Sequence, residues 1–277
     1  MMDINYELYK VFYHVANTLS FSEASKQLFI SQSAVSQSIK VLEKKLNQPL
    51  FIRSTKRVQL TPEGEILLKH IEPAMNLIKQ GENQLLEANT LNGGQLRIGA
   101  SDTICRYYLI PYLKEFHRKY PNVHIKVTNQ TSIACAKLLE SGQVDFAITN
   151  YPNSGLSNTQ NVRIIHEFHD VFAANDEYGS LRGKTVTLKE LQTCPILMLD
   201  RKSTTSEFLH SMFQRHQLDL VPEIELSSNE LLIDLARIGL GIAFVPDYCI
   251  PENDPALFIV HLEEQLPARQ MVVAYNE

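Results

Sequence analysis

Residues 24–43, with the sequence ASKQLFISQSAVSQSIKVLE, decide the fold of the N-terminal part of the chain. Apolar side chains recur at helical spacing on both sides of the short connection 29–31, which predicts two helices with a tight turn between them. Ser31 is a typical N-cap for the second helix, and Ser20 with Glu23 has the pattern of a capping box for the first. Two short helices joined in this way predict a helix-turn-helix.

The outward face of the second helix is polar and almost uncharged. A generic surface helix more often carries Glu and Lys pairs, whereas glutamine, serine and lysine are side chains that reach the base edges and phosphates of DNA. The sequence therefore predicts that this helix contacts DNA. The residues assigned to that contact, including serines at the starts of both helices, are Ser22, Ser31, Gln32, Ser33, Ser36, Gln37 and Lys40.

A basic hairpin follows the second helix. Residues 50–53 and 58–60 are typical of two short strands around a basic turn. The chain has a net charge of −5, yet residues 20–60 contain seven Lys and Arg against two Glu. Beside a DNA-contacting helix, such a hairpin is expected to be a wing that binds the DNA backbone. Its cations are Arg53, Lys56 and Arg57, and a solvated turn is the alternative interpretation.

The run quoted above closely resembles the signature of LysR-type transcriptional regulators. Residues 49–53, PLFIR, and residues 60–64, LTPEG, resemble the same family, so that the match covers nearly all of residues 1–65. The resemblance implies that the helix beginning at Gln32 enters the major groove of double-stranded operator DNA, with the wing alongside. Many family members carry an arginine near the positions of Gln37 and Ser38, where this chain has none, so their base preference does not carry over.

A long helix is predicted after the wing. Thr61 and Pro62 form a helix-opening pair, and apolar residues keep helical spacing to about residue 89. We expect a kink or weak point at Pro73 and Gly81, and a helix end at 92–94. In the family this helix forms the dimer interface, which implies a homodimer or homotetramer with RNA polymerase as a further partner. Packing of the helix on the chain's own C-terminal domain is the alternative.

Strands and helices alternate from residue 95 onward. Such alternation predicts mostly parallel sheets with helices on both faces, and its two runs indicate two subdomains with a cleft between them. A turn-rich stretch is expected after the third strand. The strands are predicted at 96–100, 123–127, 144–149, 196–199, 223–226 and 241–245.

This second half resembles periplasmic-binding-protein-like effector domains, through residues 99–101, 120–122, 139–145 and 239–246. The predicted fold class is thus an α+β chain of two parts, in which a winged helix-turn-helix and a linker helix precede an α/β effector domain of two subdomains. After the strand at 271–275, family members usually continue into a closing helix, for which this sequence has no residues. The predicted boundaries are 1–61 for the DNA-binding domain, 62–92 for the linker or dimerisation helix and 93–277 for the effector domain, with subdomain I at about 95–167 plus 266–277 and subdomain II at about 168–265.

Hydroxyl and amide side chains are concentrated at the carboxyl ends of the predicted strands, where open α/β sheets bind ligands and helix N-termini favour anions. This suits a small polar or carboxylated metabolite, although helix capping alone would also explain each residue. Ser101, Thr103 and Thr131 fall where the family contacts its effectors. The other residues assigned to the site are Asp102, Ser132, Thr149, Asn150, Ser203, Thr204, Ser228 and Phe244.

The charges at this site are unbalanced. Asp102 would repel an anion unless its side chain turns away. Arg201 and Lys202 are candidates for a counter-charge, with a solvated surface position as the alternative for both.

Several function classes are disfavoured. The GxSxG, HExxH, P-loop and Rossmann glycine motifs are absent, and His166 and His169 lack partners at ligand spacing, so we expect no catalytic residues, metal or cofactor. Without a secretory leader or an apolar stretch of about 20 residues, a cytoplasmic protein with no membrane partner is expected, rather than a secreted solute-binding protein. The four cysteines show no CxxC or zinc spacing. A redox-responsive regulator of the same fold, acting through Cys105 or Cys135, is the remaining alternative.

Overall fold

The computed structural model describes residues 4–53, 57–88, 94–157, 160–251 and 254–276. It consists of two compact units. The first comprises Met1–Leu91 with Ser141–Gln143, and the second Asn92–Glu140 with Val144–Glu277.

The first unit contains the predicted helix-turn-helix and wing. Its core includes Phe12, Val35, Ile39 and Leu42, all fully buried, so that the apolar faces of three helices meet in one cluster. At the turn, Phe29 closes the second helix in the left-handed conformation, with φ 55°. The elements are α1 (Tyr6–Thr18), α2 (Phe21–Leu28), α3 (Gln32–Leu46), β1 (Phe51–Arg53), β2 (Val58–Leu60) and α4 (Pro62–Ala88).

The capping box predicted at the start of α2 is only half present. Ser20 Oγ accepts a hydrogen bond from the Glu23 amide at 3.2 Å, as predicted. The Glu23 carboxylate instead pairs with Lys26 at 3.3 Å, one turn further along the helix. The Ser20 amide donates to Thr18 Oγ1 at 3.4 Å, so that Thr18 replaces Glu23 as the acceptor.

Helix α4 begins at Pro62 as predicted and runs through Pro73 and Gly81 as one element to Ala88. The predicted helix end falls partly on residues 92 and 93, which lie outside the described residues. Near its start, Leu67, Leu68 and Ile71 pack against the core of the first unit. Among the side chains of this helix that the structure describes, the large apolar ones that are more than half exposed are Ile66, Leu77, Ile78 and Leu85.

The second unit is an α/β fold, as predicted. The stretch Cys105–Leu109 is π-helical, and Asp176–Leu181 and Asp247–Cys249 are 3₁₀-helical. In chain order the other elements are β3 (Gln95–Ala100), α5 (Asp102–Ile104), α6 (Ile110–Lys119), β4 (His124–Asn129), α7 (Ser132–Glu140), β5 (Phe146–Tyr151), β6 (Asn161–Phe168), β7 (Asp170–Ala174), β8 (Thr185–Val186), α8 (Leu188–Leu191), β9 (Ile196–Leu199), α9 (Thr204–Arg215), β10 (Ile224–Leu226), α10 (Asn229–Arg237), β11 (Ile242–Pro246), β12 (Phe258–Leu262) and β13 (Arg269–Tyr275).

These strands form two sheets. Sheet I has the order β4-β3-β5-β13-β6, and sheet II has the order β10-β9-β11-β7-β12-β8. The chain passes from sheet I to sheet II between Phe168 and Asp170, and it returns between Leu262 and Arg269. We call the part built on sheet I subdomain I and the part built on sheet II subdomain II.

The sheets are mixed, but most of their described strands run in one direction, as expected. Strands β3, β4 and β5 pair in parallel, as do β9, β10 and β11, because helices connect them. Strand β13 is antiparallel to both β5 and β6, and β7 is antiparallel to β11 and β12. Thus β13 in sheet I and β7 in sheet II each run opposite to the other described strands of their sheet, and β8 pairs in parallel with β12.

Strands β6 and β7 lie in the stretch that was expected to be rich in turns. Strand β6 is at the edge of sheet I, and Val162, Ile164 and His166 are exposed on it. Because apolar residues occur on its exposed face as well, its sequence lacks the alternation of apolar and polar residues that predicts a strand. Strand β7 begins with a buried charge, Asp170, which its sequence pattern does not indicate.

The helix expected from residue 104 begins at Asp102, with Ser101 as its N-cap. Its π-helical turn, Cys105–Leu109, lies directly before Pro111. Proline has no amide hydrogen, and its ring presses on the carbonyl four residues earlier. A wider turn at this place relieves that pressure.

Candidate functional site

The candidates for DNA contact lie on one face of α3. Ser31 caps this helix by accepting a hydrogen bond from the Ala34 amide at 3.2 Å. Because Val35, Ile39 and Leu42 are buried against the core, the opposite face is left to solvent. The side chains exposed there or at the helix start are Ser31, Gln32, Ser33, Gln37 and Lys40, with Ser36 half-buried beside them.

Three of the serine candidates have local contacts within their own helix or cap. Ser22 is exposed in the first turn of α2, where its carbonyl accepts from Ser25 Oγ at 2.8 Å. Ser31 Oγ lies 2.9 Å from Ser33 Oγ. Thus Ser31 holds the start of α3, and Gln32 and Gln37 are the long side chains of the exposed face.

Glu43 joins this helix to the wing, a role that sequence reasoning missed. Its Oε1 accepts hydrogen bonds from the amides of Leu50 and Phe51, at 2.9 and 3.3 Å. By sequence alone, Glu43 counts only as a negative charge within the basic segment. The carboxylate in fact fixes the first wing strand against the last turns of α3.

The wing strands pair antiparallel, with Phe51 opposite Leu60 and Arg53 opposite Val58. Arg57 is exposed just before β2. Lys56 lies outside the described residues, and of Arg53 only the backbone is described.

The wing is also fixed to the start of α4. Thr61 Oγ1 donates to the Pro49 carbonyl at 2.7 Å. A Cβ atom on Gly64 would lie 2.3 Å from the Leu50 carbonyl oxygen. Any residue other than glycine would therefore clash with the wing backbone at this position. The LTPEG sequence therefore contains two contacts that position the wing.

A cleft of about 310 Å³ lies between subdomains I and II, at the carboxyl ends of their strands. Four helices begin beside it, each with a hydroxyl cap. Ser101 accepts from the Ile104 amide at 3.2 Å, and Thr131 accepts from the Ala134 amide at 3.3 Å. In subdomain II, Ser203 and Ser228 cap α9 and α10 in the same way, at 3.1 and 3.3 Å.

Most of the predicted ligand residues come together in this cleft. Those that line it are Ser101, Asp102, Thr103, Thr131, Ser132, Asn150, Ser203, Thr204 and Ser228. Thr103 also bridges the subdomains, because its Oγ1 accepts from Asn229 Nδ2 at 3.0 Å.

Two predicted ligand residues do not line the cleft. Thr149 is fully buried and precedes Asn150 on β5, so the two side chains point to opposite faces and only Asn150 reaches the cleft. Phe244 is fully buried in the core of subdomain II, with its ring centroid 4.7 Å from that of Phe172. Phe244 therefore packs inside the subdomain and does not line the cleft.

Sequence reasoning missed several lining residues. Asn129 ends β4, Asp200 follows β9, and Glu230 is the second residue of α10, so each lies within one or two residues of a predicted position or of a predicted strand end. Leu199, at the end of β9, also lines the cleft. Arg201 and Lys202, considered as sources of a counter-charge, are exposed and do not line it.

The cleft is acidic. Asp102, Asp200 and Glu230 line it, and none of its described lining residues is Lys, Arg or His. Asp102 does turn toward a partner, since its Oδ1 accepts from Asn129 Nδ2 at 3.2 Å.

A buried ion pair supports the floor of the cleft. Arg269, at the start of β13, donates to Asp170 at 2.7 Å, and both residues are 2% exposed. The same guanidinium donates to Thr205 Oγ1 at 3.1 Å and to Thr204 Oγ1 at 3.0 Å. Arg269 thereby connects a strand of sheet I, the first residue of β7 and the N-terminus of α9.

The four cysteines are held as thiols. Burial, with a smaller contribution from Asp102, raises the pKa of Cys105 to about 11. Burial raises the pKa of Cys135 to about 12, and it also raises the pKa of Cys194 and Cys249. The thiolate is the reactive form, so these values disfavour the redox alternative.

We expect Cys105 in the folded chain to react with iodoacetamide at pH 7.5 about three-hundredfold more slowly than an unfolded cysteine of pKa ~8.5, because so little of it is ionised. Mass spectrometry of time-quenched samples measures the rate at each cysteine. The same chain in urea is the control, in which all four should react at the ordinary rate. Fast alkylation of folded Cys105 or Cys135 at neutral pH would restore the redox interpretation.

Among the described residues, no group of three His, Cys, Asp or Glu side chains is placed to hold a metal ion. The same residues contain no helix that is both long enough and apolar enough to cross a membrane.

Comparison with known families gives two matches that together span nearly all of the chain. Residues 6–65 match the bacterial regulatory helix-turn-helix protein of the lysR family, and residues 89–277 match the LysR substrate binding domain. A probable RuBisCO transcriptional regulator of Trichormus variabilis is 30% identical over 84% of this chain and 71% of its own length.

Solved structures share the fold. The chain is similar to a full-length OxyR variant from Pseudomonas aeruginosa, with a TM-score of 0.66 and 18% identity over 100% of this chain and 90% of that one. Full-length CbnR complexed with its target DNA gives a TM-score of 0.61 at 18% identity, over 99% and 94%. The Synechocystis CcmR regulatory domain in complex with 2-PG gives 0.60 at 22% identity, over 66% of this chain and 88% of that one.

Proposed function

This chain belongs to the LysR family of DNA-binding transcription regulators, and we propose that it contacts bases of operator DNA through Gln32, Ser33 and Gln37 while a small metabolite in the cleft controls that binding. The observation that carries the proposal is the exposed face of α3, where long polar side chains stand on a helix whose other face is buried. Glutamine can bond adenine through two hydrogen bonds, which gives base specificity.

Phosphate contacts are assigned to the positive groups around that face. Lys40 is exposed on α3, and Arg57 is exposed at the wing. We include Arg53 and Lys56 of the wing, and we place Ser22, Ser31 and Ser36 where hydroxyls meet the DNA backbone. Such contacts fix the register of the protein on the duplex, and the base contacts supply the specificity.

A Lys56→Ala/Arg57→Ala variant is expected to bind operator DNA with a weaker salt dependence. Each phosphate contact that the variant removes should reduce the slope of log K against log salt by about 0.9, because fewer counterions are released. Fluorescence anisotropy with a duplex selected from a random pool, over a range of salt concentrations, measures that slope.

The matched control is Lys184→Ala/Lys189→Ala, which removes the same charge from exposed positions of subdomain II. An unchanged slope in the wing variant, or an equal change in the control, would show that the wing does not contact phosphates.

We also propose that the chain acts as a homodimer or a dimer of dimers on a partly palindromic operator. The exposed apolar residues of α4 support this, because an apolar helix face in water needs a partner and a second copy provides one. In subdomain I, Ile110 and Tyr112 of α6 and Val162 and Ile164 of β6 are also exposed apolar residues that suit self-association.

The ligand proposed for the cleft is a small polar or carboxylated metabolite. The cleft holds about 310 Å³, which corresponds to about ten water volumes of ~30 Å³ each. CcmR, a structural neighbour, binds 2-PG in its regulatory domain, which supports small-molecule control in this fold. Ligand binding between the subdomains would favour one arrangement of the subunits and so change the contact with DNA.

The control by ligand is tested on the full chain. Thermal shift against a panel of organic acids, amino acids and other metabolites should identify compounds that stabilise the protein. Each such compound should also change the affinity for the selected duplex. If stabilising compounds leave DNA binding unchanged, the cleft does not regulate it.

The remaining partners and the location follow from this function. We propose that the protein acts in the cytoplasm, where its operator DNA is, and that it has no catalytic activity of its own. RNA polymerase is the further partner that a regulator bound near a promoter would contact.

A further inference from the structure

The charges of the cleft restrict the chemistry of its ligand. A phosphate or a dicarboxylate would approach Asp102, Asp200 and Glu230 without meeting a cation from the described lining residues. Like charges at short range disfavour such a ligand. A carboxylated ligand is therefore favoured in this cleft when it carries a positive group as well.

Two buried acceptors in the cleft have no hydrogen-bond partner among the described residues. Asn229 is 4% exposed and Asn150 is 7% exposed, and both leave their Oδ1 atoms unpartnered. Buried polar atoms are costly unless a hydrogen bond satisfies them. Both residues line the cleft, where a donor on a ligand that displaces their present neighbours would supply these bonds, at Asn150 in competition with the adjacent Tyr248 hydroxyl.

Glu230 adds a carboxylate to these acceptors. Its Oε2 accepts from Ser228 Oγ at 3.1 Å, whereas its Oε1 is buried with no hydrogen-bond partner among the described residues. Glu230 also borders a neighbouring cavity with Arg106 and Arg237, but within the described residues neither arginine forms an ion pair with it. Arg237 is held by Asp234 and Asp254 instead.

Donors for an anionic group are present in subdomain I. Ser101 and Thr131 each accept a hydrogen bond from an amide of the helix they cap, which leaves the hydroxyl proton to donate. Ser132 Oγ likewise accepts from the Asn150 amide at 3.1 Å. Thr131 and Ser132 stand at the N-terminus of the nine-residue helix α7, where the helix dipole favours a carboxylate.

We propose that the effector is a small zwitterion of the amino-acid type, whose carboxylate meets the hydroxyls of Ser101, Thr131 and Ser132 and whose protonated amino group donates to Glu230 and the side-chain oxygens of Asn229 and Asn150. This inference rests on the proposed function, because it specifies the ligand of the regulatory cleft. An ammonium group has three donors, which equals the number of these unpartnered acceptors. Asp200 adds a second negative charge from subdomain II.

The first experiment screens the full-length chain by thermal shift against the set of proteinogenic L-amino acids at millimolar concentration. For each stabilising amino acid, calorimetry then measures Kd for it, for the 2-hydroxy acid with the same side chain and for the amine that lacks the carboxylate. We expect at least one amino acid to bind, and both analogues to bind at least tenfold more weakly. A screen without any stabilising amino acid, or a 2-hydroxy acid that binds as tightly as its amino acid, would overturn the inference.

Glu230→Gln is the variant that separates charge from shape. The glutamine amide oxygen can still accept from Ser228 Oγ, so the start of α10 should be retained. We expect the amino acid to bind at least tenfold more weakly to this variant, and the 2-hydroxy acid to bind no more weakly than to the wild type. Glu225→Gln, at an exposed position of β10, is the matched control and should bind as the wild type does.

The outcomes distinguish the inference from the proposed function. If organic acids without an amino group bind the wild type and change its DNA affinity, the proposal of a zwitterionic effector is rejected. The proposal that the cleft controls DNA binding is then retained. Equal amino-acid affinity of Glu230→Gln and the wild type would also reject the zwitterion. If a bound amino acid leaves DNA affinity unchanged, the proposed regulation fails while the ligand class stands.

Discussion

An Arg269→Ala variant is expected to lose about 3–5 kcal/mol in the free energy of unfolding of the cleft-bearing unit, because it leaves the buried Asp170 carboxylate without its partner. Arg269 and Asp170 are each 2% exposed and are joined at 2.7 Å. The guanidinium also lies over the rings of Phe168 and Phe208, at 5.3 and 5.1 Å from their centroids, so its removal opens a space in the core. Urea unfolding followed by circular dichroism measures the loss.

The control for this variant is Arg182→Ala, which removes an exposed ion pair with Asp176 and a contact with the Phe258 ring, 4.6 Å from the guanidinium, in the same unit. We expect a loss of less than about 1 kcal/mol there, since exposed pairs contribute little. A loss of similar size in both variants would show that the buried Arg269–Asp170 pair contributes no more to stability than an exposed pair does.

The loss in unfolding free energy caused by Arg269→Ala should depend on pH. Burial raises the pKa of Asp170, and Arg269 opposes that rise. Without the arginine, the folded chain holds a proton on Asp170 at a pH where the unfolded chain, with an aspartate pKa of ~3.9, has released it. Stability of the variant therefore falls as pH rises above that value, and the deficit should be larger at about pH 7 than at about pH 5.

A Gln32→Ala/Gln37→Ala variant is expected to bind the selected operator about 30-fold to 10⁴-fold more weakly, because each bidentate base contact contributes about 1–3 kcal/mol. Both side chains are exposed on α3, and alanine is at least as good a helix former as glutamine, so the fold should be retained. Fluorescence anisotropy with the selected duplex and with a scrambled duplex measures specific and non-specific binding at one salt concentration.

The weakening should be confined to the selected duplex. Binding to the scrambled duplex depends on phosphate contacts and should change little. Gln265→Ala, at an exposed position of the second unit, is the control and should bind both duplexes as the wild type does. Equal weakening on both duplexes would mean that Gln32 and Gln37 contact the backbone rather than the bases.

The helix-turn-helix was predictable because its elements are local. The caps Ser20 and Ser31 and the buried positions of α3 follow from spacing within one or two turns of helix. The error at Ser20 is of the same local kind, since Lys26 competed for the carboxylate that the capping box required. Glu43 was missed because its hydrogen bonds reach residues seven and eight positions away, across a turn.

The cleft was predictable as a set of strand ends but not as an electrostatic site. Hydroxyl caps after predicted strands located Ser101, Thr131, Ser203 and Ser228. Thr149 does not line the cleft, because the pleat of β5 decides which of two neighbouring side chains reaches it. Whether a carboxylate such as Glu230 faces a cavity depends on the packing of α10, which local sequence does not reveal.

The sequence by itself determined the helix-turn-helix, the long helix after the wing and the family, because these depend on local spacing and on contiguous motifs. Only the tertiary structure decided that Arg269 and Asp170, 99 positions apart, form one buried pair, and that β13, already expected in subdomain I, lies antiparallel between β5 and β6. The acidic character of the cleft was decided in the same way. Contacts of this kind arise when distant segments pack together, and the side chains that make them carry no pattern in their own neighbourhood of the sequence.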